Sequence, residues 1–133
     1  MRKTMALLFV AGLVLAGCSS GGGNDNTTGA TSGGANCSDV SADPDFQVTM
    51  KNFEFDPSCI IAKNTQKLDL ENDGSVSHTF TIVGTPVDVT LEAGKTQELD
   101  APGSALKPGT YVFYCRFHGH PDGTGMAGHI TIK

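Results

Sequence analysis

The sequence has no apolar run long enough to cross a bilayer. Its longest, Met5 to Gly17, is about 13 residues where a spanning helix needs about 20. Basic residues are scarce: nine Lys and Arg stand against fourteen Asp and Glu, a formal net charge of −5. A chain of that sign is a poor partner for nucleic acid. From residue 45 onward no window of about 11 residues keeps the i, i+3, i+4 apolar spacing of a helix. No Ser/His/Asp constellation, phosphate-cradling loop or paired-carboxylate site stands out, which leaves the common bond-making chemistries without residues to carry them. Length is short as well. Of 133 residues, 19–36 contain almost nothing to bury, and about 90 remain for a core, which allows one small domain and excludes a two-domain enzyme or a large substrate cleft.

What is present begins with the amino terminus. Arg2 and Lys3 precede the apolar run, and the run closes on Leu15-Ala16-Gly17-Cys18. This ending resembles the lipobox of bacterial lipoprotein signal peptides. The resemblance implies that residues 1–17 are a signal peptide, that cleavage leaves Cys18 at the new amino terminus, and that Cys18 carries diacylglycerol with a further acyl chain such as palmitate. Two or three chains anchor a protein stably where one binds marginally. Removal of residues 1–17 also removes Arg2 and Lys3, leaving seven basic residues against fourteen acidic ones, a charge of −7. Residues 18–44 are then expected to form a lipidated tether, flexible over its Ser, Gly, Asn and Thr stretch at 19–36.

Over 45–133 apolar and polar residues alternate in short runs. The alternation predicts strands at Phe46–Met50, Ser58–Lys63, Gln66–Glu71, His78–Val83, Val87–Leu91, Thr96–Asp100, Thr110–Cys115 and Ile130–Ile132. Between them lie turn residues such as Asn72-Asp73-Gly74, Gly84-Thr85-Pro86 and Lys107-Pro108-Gly109. Seven to eight short strands in one small domain predict an all-β, antiparallel sandwich or barrel. His78 falls at the start of a strand. Cys115 closes one, and the glycines and proline of Arg116 to Gly128 predict a loop after it.

Four cysteines look like two disulfides. With Cys18 lipidated, three are left, and an exported chain disfavours an idle thiol. Cys37 at the tether–domain junction and Cys59 at a strand start, both free of metal-type neighbours, are the expected disulfide. Cys115 is the residue left to explain. An imidazole (His118) follows it by three positions, a thioether (Met126) lies further along, and a second imidazole (His78) comes from a distant strand. A thiolate, two neutral imidazoles and a weak axial thioether make up the ligand list of a mononuclear blue-copper centre.

The surrounding pattern carries a second resemblance. Tyr111-Val112-Phe113-Tyr114-Cys115-Arg116-Phe117-His118, the ending Gly125-Met126-Ala127-Gly128-His129-Ile130-Thr131-Ile132, the segment Phe55-Asp56-Pro57-Ser58-Cys59-Ile60 and the approach Asn72-Asp73 to His78 together resemble a cupredoxin of the plastocyanin-like kind, over about residues 46–133. That resemblance implies a Greek-key fold and one copper ion cycling between Cu(I) and Cu(II), with His78, Cys115, His118 and Met126 as ligands. Seven residues separate His118 from Met126, more than in the short plastocyanin loop. The spacing of Cys115 to His120 resembles azurin instead, so His120 stands as the alternative ligand. His129 is expected to be a solvent-facing strand residue and Met50 to be core. By the two resemblances together the chain is expected to be a membrane-tethered electron carrier, not an enzyme, monomeric, and lipid-anchored in the bacterial cell envelope, on the outer side of the cytoplasmic membrane or in the outer membrane. Redox proteins are expected to dock near His118 on a patch of Gly119, Pro121, Met126 and Ala127, with no small-molecule substrate. Envelope copper storage, delivery or resistance would use the same ligands and remains the alternative.

Overall fold

The computed structural model describes residues 36–100 and 106–133. The expected signal peptide, the lipidation residue Cys18 and most of the tether lie outside the described residues. Ten strands follow in chain order: β1 (Ser38–Asp39), β2 (Asp45–Lys51), β3 (Glu54–Asp56), β4 (Cys59–Ala62), β5 (Lys67–Asn72), β6 (His78–Ile82), β7 (Asp88–Leu91), β8 (Thr96–Leu99), β9 (Gly109–Gly119) and β10 (Gly125–Ile132). They form a six-stranded sheet in the order β1-β4-β10-β9-β6-β7 and a four-stranded sheet in the order β3-β2-β5-β8. Among the described residues no helix is long and apolar enough to cross a membrane.

The alternation read from the sequence is the burial pattern of the strands. Phe46, Val48 and Met50 of β2, and Leu68 and Leu70 of β5, point inward with polar neighbours between them. From the other sheet come Ile60, Ala62, Phe80, Ile82, Phe113, Ile130 and Ile132. Phe55 of β3 joins the two layers, edge-on to Phe80 at 5.9 Å and to Phe113 at 5.1 Å. The all-β sandwich expected from the sequence is therefore the fold, with two additions. Among the described residues the count is ten, not seven or eight, because β1 and β3 span two and three residues, too few to show a period. The pairing is mixed: β1–β4, β4–β10 and β2–β5 run parallel. Parallel neighbours arise where the chain leaves one sheet and returns to it by a crossover, as it does between β2 and β5.

The last residues counted with the tether belong to the sheet. Cys37 is disulfide-bonded to Cys59. Val40 donates its N–H to the Ile61 carbonyl at 2.9 Å, and the buried Gln66 amide donates to the carbonyls of Val40 and Asp43 at 2.7 and 2.6 Å. The largest local correction concerns 116–128. Cys115 does not close a strand: β9 runs on to Gly119, and β10 already begins at Gly125, so the predicted loop is a β-hairpin with a turn at 120–124. Glycine-rich composition signals a loop, but here the glycines allow two backbones to lie close, as at Gly119, where a Cβ would collide with the Met126 backbone.

Candidate metal centre

Three neighbouring strands of the larger sheet, β6, β9 and β10, carry the four expected ligands. The ladder between β9 and β10 is regular from Ile132–Gly109 to Ala127–Tyr114, then shifts, and resumes at Gly125–Gly119. Within the shift β9 has four residues, Cys115 to His118, against the single Met126 of β10. An excess of residues on one strand forces it to arch away from its partner. The arch puts Cys115 and His118 on one short segment and sets Met126, itself buried, across from them.

His78 completes the cluster from the first residue of β6. It is 1% exposed, Cys115 is 0% exposed and His118 is half-buried. Cys115 Sγ lies 3.7 Å from His78 Nδ1 and 3.5 Å from His118 Nδ1, and one ligand atom from each residue lies within 4.8 Å of the others. With zinc as a guide, metal–nitrogen and metal–thiolate bonds of about 2.0 and 2.3 Å sum to about 4.3 Å. One ion held by both atoms of a thiolate–imidazole pair leaves them closer than that sum, as Cys115 Sγ is to each of the two Nδ1 atoms. The donor set thus fits a single soft or borderline ion, and a thiolate with two imidazoles and a nearby thioether is the set of a blue-copper site.

Surrounding groups hold these donors in place. Thr79 donates its backbone N–H to Cys115 Sγ at 3.3 Å, and its hydroxyl accepts the Arg116 N–H at 2.7 Å, so one residue ties β6 both to the Cys115 side chain and to the peptide N–H that follows it. The loop before His78 is built on Asn72, fully buried. Its amide donates to the carbonyls of Val76 and Leu91 at 2.9 and 3.0 Å, and its Oδ1 accepts the Gly74 N–H at 3.0 Å. Gly74 lies against the His78 ring, a Cβ there coming to 3.3 Å from Nε2. Burial, and then the charge of nearby His118, hold the His78 imidazole below its ordinary value near 6.5. It is therefore a free base at neutral pH, the form that binds a metal.

The remaining expected residues separate cleanly. His120 is exposed in the hairpin turn, where its N–H bonds the Thr124 carbonyl at 2.9 Å and its carbonyl accepts from Gly123 at 3.1 Å. It is not part of the cluster of His78, Cys115 and His118. His129 is exposed on β10 and Met50 is fully buried in β2. Of the expected docking patch, Gly119 and Met126 are buried and Ala127 is half-buried, leaving Pro121 as its exposed member. The exposed apolar side chains near the site are others: Phe53, Val76 and Phe117. Phe53 packs against both imidazoles, 4.7 Å from the His118 ring and 5.8 Å from that of His78. Sequence reasoning does not reach it, because a phenylalanine in a short hairpin carries no signal of what its ring will touch.

The family model of the cupredoxin-like domain matches residues 25–127. No curated protein sequence matches. Among solved structures, a purple cupredoxin from Nitrosopumilus maritimus is 20% identical with a TM-score of 0.51, covering 67% of this chain and 100% of its own. The auracyanin of Roseiflexus castenholzii is 16% identical with a TM-score of 0.52, covering 68% of this chain and 97% of its own. A copper-containing nitrite reductase from Thermus scotoductus is 19% identical with a TM-score of 0.51 over 67% of this chain, but over only 22% of the reductase. At these identities the likeness establishes the fold.

Proposed function

The chain belongs to the cupredoxin-like domain family, and on that footing we propose that it is a blue-copper protein that carries single electrons between redox partners in the cell envelope, held there by a lipid on Cys18. The observation that carries this reading is the cluster of His78, Cys115 and His118 donor atoms within 4.8 Å, with His78 and Cys115 buried and His118 half-buried. Copper supplies the chemistry when bound, exchanging one electron between its two oxidation states. The chain's own residues supply the rest. The two Thr79 bonds hold the Cys115 side chain and the peptide after it, so the donors need not rearrange between states. Met126 is the proposed fourth ligand, its buried side chain belonging to the residue opposite the arch.

His118 is the proposed route for the electron, being the half-buried member of the set. Phe53 and Phe117, exposed beside it, and Val76, exposed two residues before His78, give a partner a small apolar footing of the kind weak electron-transfer interfaces use. The negative charge of the exported chain favours a basic partner and a salt-dependent rate. No bond-making step is proposed. A second reading, storage or delivery of copper, draws on His120 and His129: both are exposed, and the Gly123 turn that His120 opens lies beside the His129 ring.

The test is the visible and electron-paramagnetic spectrum of the copper-loaded chain, repeated with His118→Ala and His120→Ala. An intense thiolate-to-copper band that survives the His120 change and is lost with the His118 change is the expected result. A colourless protein that takes up zinc in preference would refute the copper reading, and loss of the band with the His120 change alone would refute the ligand assignment. Transfer of copper to an acceptor faster than electron self-exchange would favour delivery.

A further inference from the structure

Phe53 is not a ligand, and its backbone sits where a phenylalanine is unwelcome. Two residues, Asn52 and Phe53, join the paired ends Lys51 and Glu54 of β2 and β3, and both have positive φ, 52° and 64°. A two-residue hairpin with that backbone suits Asn followed by Gly. Asn52 fits the first place, but Phe53 puts a bulky side chain in a region such side chains avoid. Burial does not compensate, since Phe53 is 53% exposed.

What the conformation accomplishes is to aim the ring. Phe53 meets His118 at 4.7 Å and 71° and His78 at 5.8 Å and 83°, while the two imidazoles lie 5.0 Å apart at 67°. Three rings thus close a triangle of edge-to-face contacts, the arrangement aromatic quadrupoles favour. Phe53 also walls the surface groove that reaches Met126, together with Phe55, Ser58 and Ala127. Its ring thus covers part of both imidazoles and one wall of the groove that leads to Met126.

We propose that Phe53 is a positioning residue for the metal centre: its ring fixes the plane of the half-buried His118 imidazole against Cys115 and keeps water and small anions from the His78–Cys115–His118 cluster. This rests on the copper reading for its purpose, but the shielding itself belongs to the chain. Turn strain and site protection then oppose each other at one residue. Glycine relieves the first and abolishes the second.

The test uses the full chain with Phe53→Gly, Phe53→Ala and Phe53→Tyr. Loaded with copper, wild type and the tyrosine variant are expected to show no spectral response to azide. The glycine and alanine variants are expected to bind azide and to yield Cu(I) to the chelator bicinchoninate about tenfold faster, the factor that loss of one such ring contact allows. In the metal-free chain, diethyl pyrocarbonate should modify His118 several-fold faster in the glycine variant, which should melt no lower than wild type. Unchanged modification of His118 in the glycine and alanine variants would overturn the proposal whether or not copper binds. So would a glycine variant that melts well below wild type, which makes Phe53 an ordinary packing residue. A wild-type chain with no thiolate-to-copper band would sink the electron-carrier reading and leave the modification rates to decide this one.

Discussion

Gly119→Ala isolates the contact that shapes the arch in β9. Gly119 pairs with Gly125 where the β9–β10 ladder resumes, and its backbone is not among those with positive φ, so alanine meets no conformational penalty there. The cost is steric. The added methyl would strike the Met126 carbonyl oxygen and lie 2.8 and 3.0 Å from the Met126 carbon and nitrogen, where ordinary contact begins at 3.4 Å. These are main-chain atoms of β10, and no rotamer change relieves them: the two strands must part. Overpacking of this kind costs about 1–3 kcal/mol. For a domain of about 90 residues each kcal/mol is worth roughly 4–8 °C, so the expected loss in Tm is about 5–20 °C. Because the atoms displaced are those of the residue facing Cys115 to His118, the copper spectrum should change as well. Gly84→Ala is the matched control: φ is 75°, nothing lies within 4 Å of the new Cβ, and the turn is not part of the site. It should lose about 1–2 kcal/mol from the left-handed backbone alone and leave the spectrum untouched. Circular dichroism melts of the metal-free chains and absorption of the copper-loaded ones read both effects. A Gly119→Ala chain with wild-type Tm and wild-type spectrum would refute the argument that this close approach defines the arch.

Two further outcomes follow from the described structure. The Cys37–Cys59 bond spans 22 residues, and its removal by Cys37→Ala with Cys59→Ala should cost about 3 kcal/mol on the loop-entropy model, read as a lower denaturant midpoint; an unchanged midpoint would show that β1 is held to β4 by its hydrogen bonds alone. The metal-free chain should lose stability as pH falls below about 6.5, because the unfolded chain takes up the His78 proton near that value while burial and His118 hold the folded group lower, so that in the interval the unfolded state binds more protons. Melting temperatures taken from pH 7.5 to 5 test this, and an identical fall in His78→Gln would assign it to other groups.

Much of the fold was legible because period two is a direct image of a half-buried strand, and β2 and β5 show it without interruption. What escaped was set by contacts distant in sequence. β1 is a strand only because Cys37 is bonded to Cys59 and Ser38 finds Ile60. The hydrogen bond from Thr79 to Cys115 Sγ joins residues 36 positions apart, and no local pattern announces it. Phe53 is the clearest case. Its sequence neighbourhood argues against the conformation it adopts, and the reason for that conformation lies on two other strands.

The misread segment also bears on the ligand set. As a loop, 116–128 would make the seven residues between His118 and Met126 a length to be folded back. As a hairpin, that length has a fixed use. Gly119 pairs with Gly125, so the residues flanking that pair, His118 and Met126, are brought together whatever the turn beyond it contains. The turn at 120–124 closes on its own bonds, His120 to Thr124 and Gly123 to His120, and Asp122 accepts from the Thr124 N–H and hydroxyl at 3.0 and 2.7 Å. Extra residues therefore enter the turn and leave the cluster unstretched. His120 travels with the turn to solvent, which is the physical reason that the histidine three residues after Cys115 meets His78 while the one five residues after does not. Lengthening the turn by two glycines after Asp122 should accordingly leave the copper spectrum as it is. A shifted spectrum would mean that the turn, and not the Gly119–Gly125 pair, sets the separation of His118 and Met126.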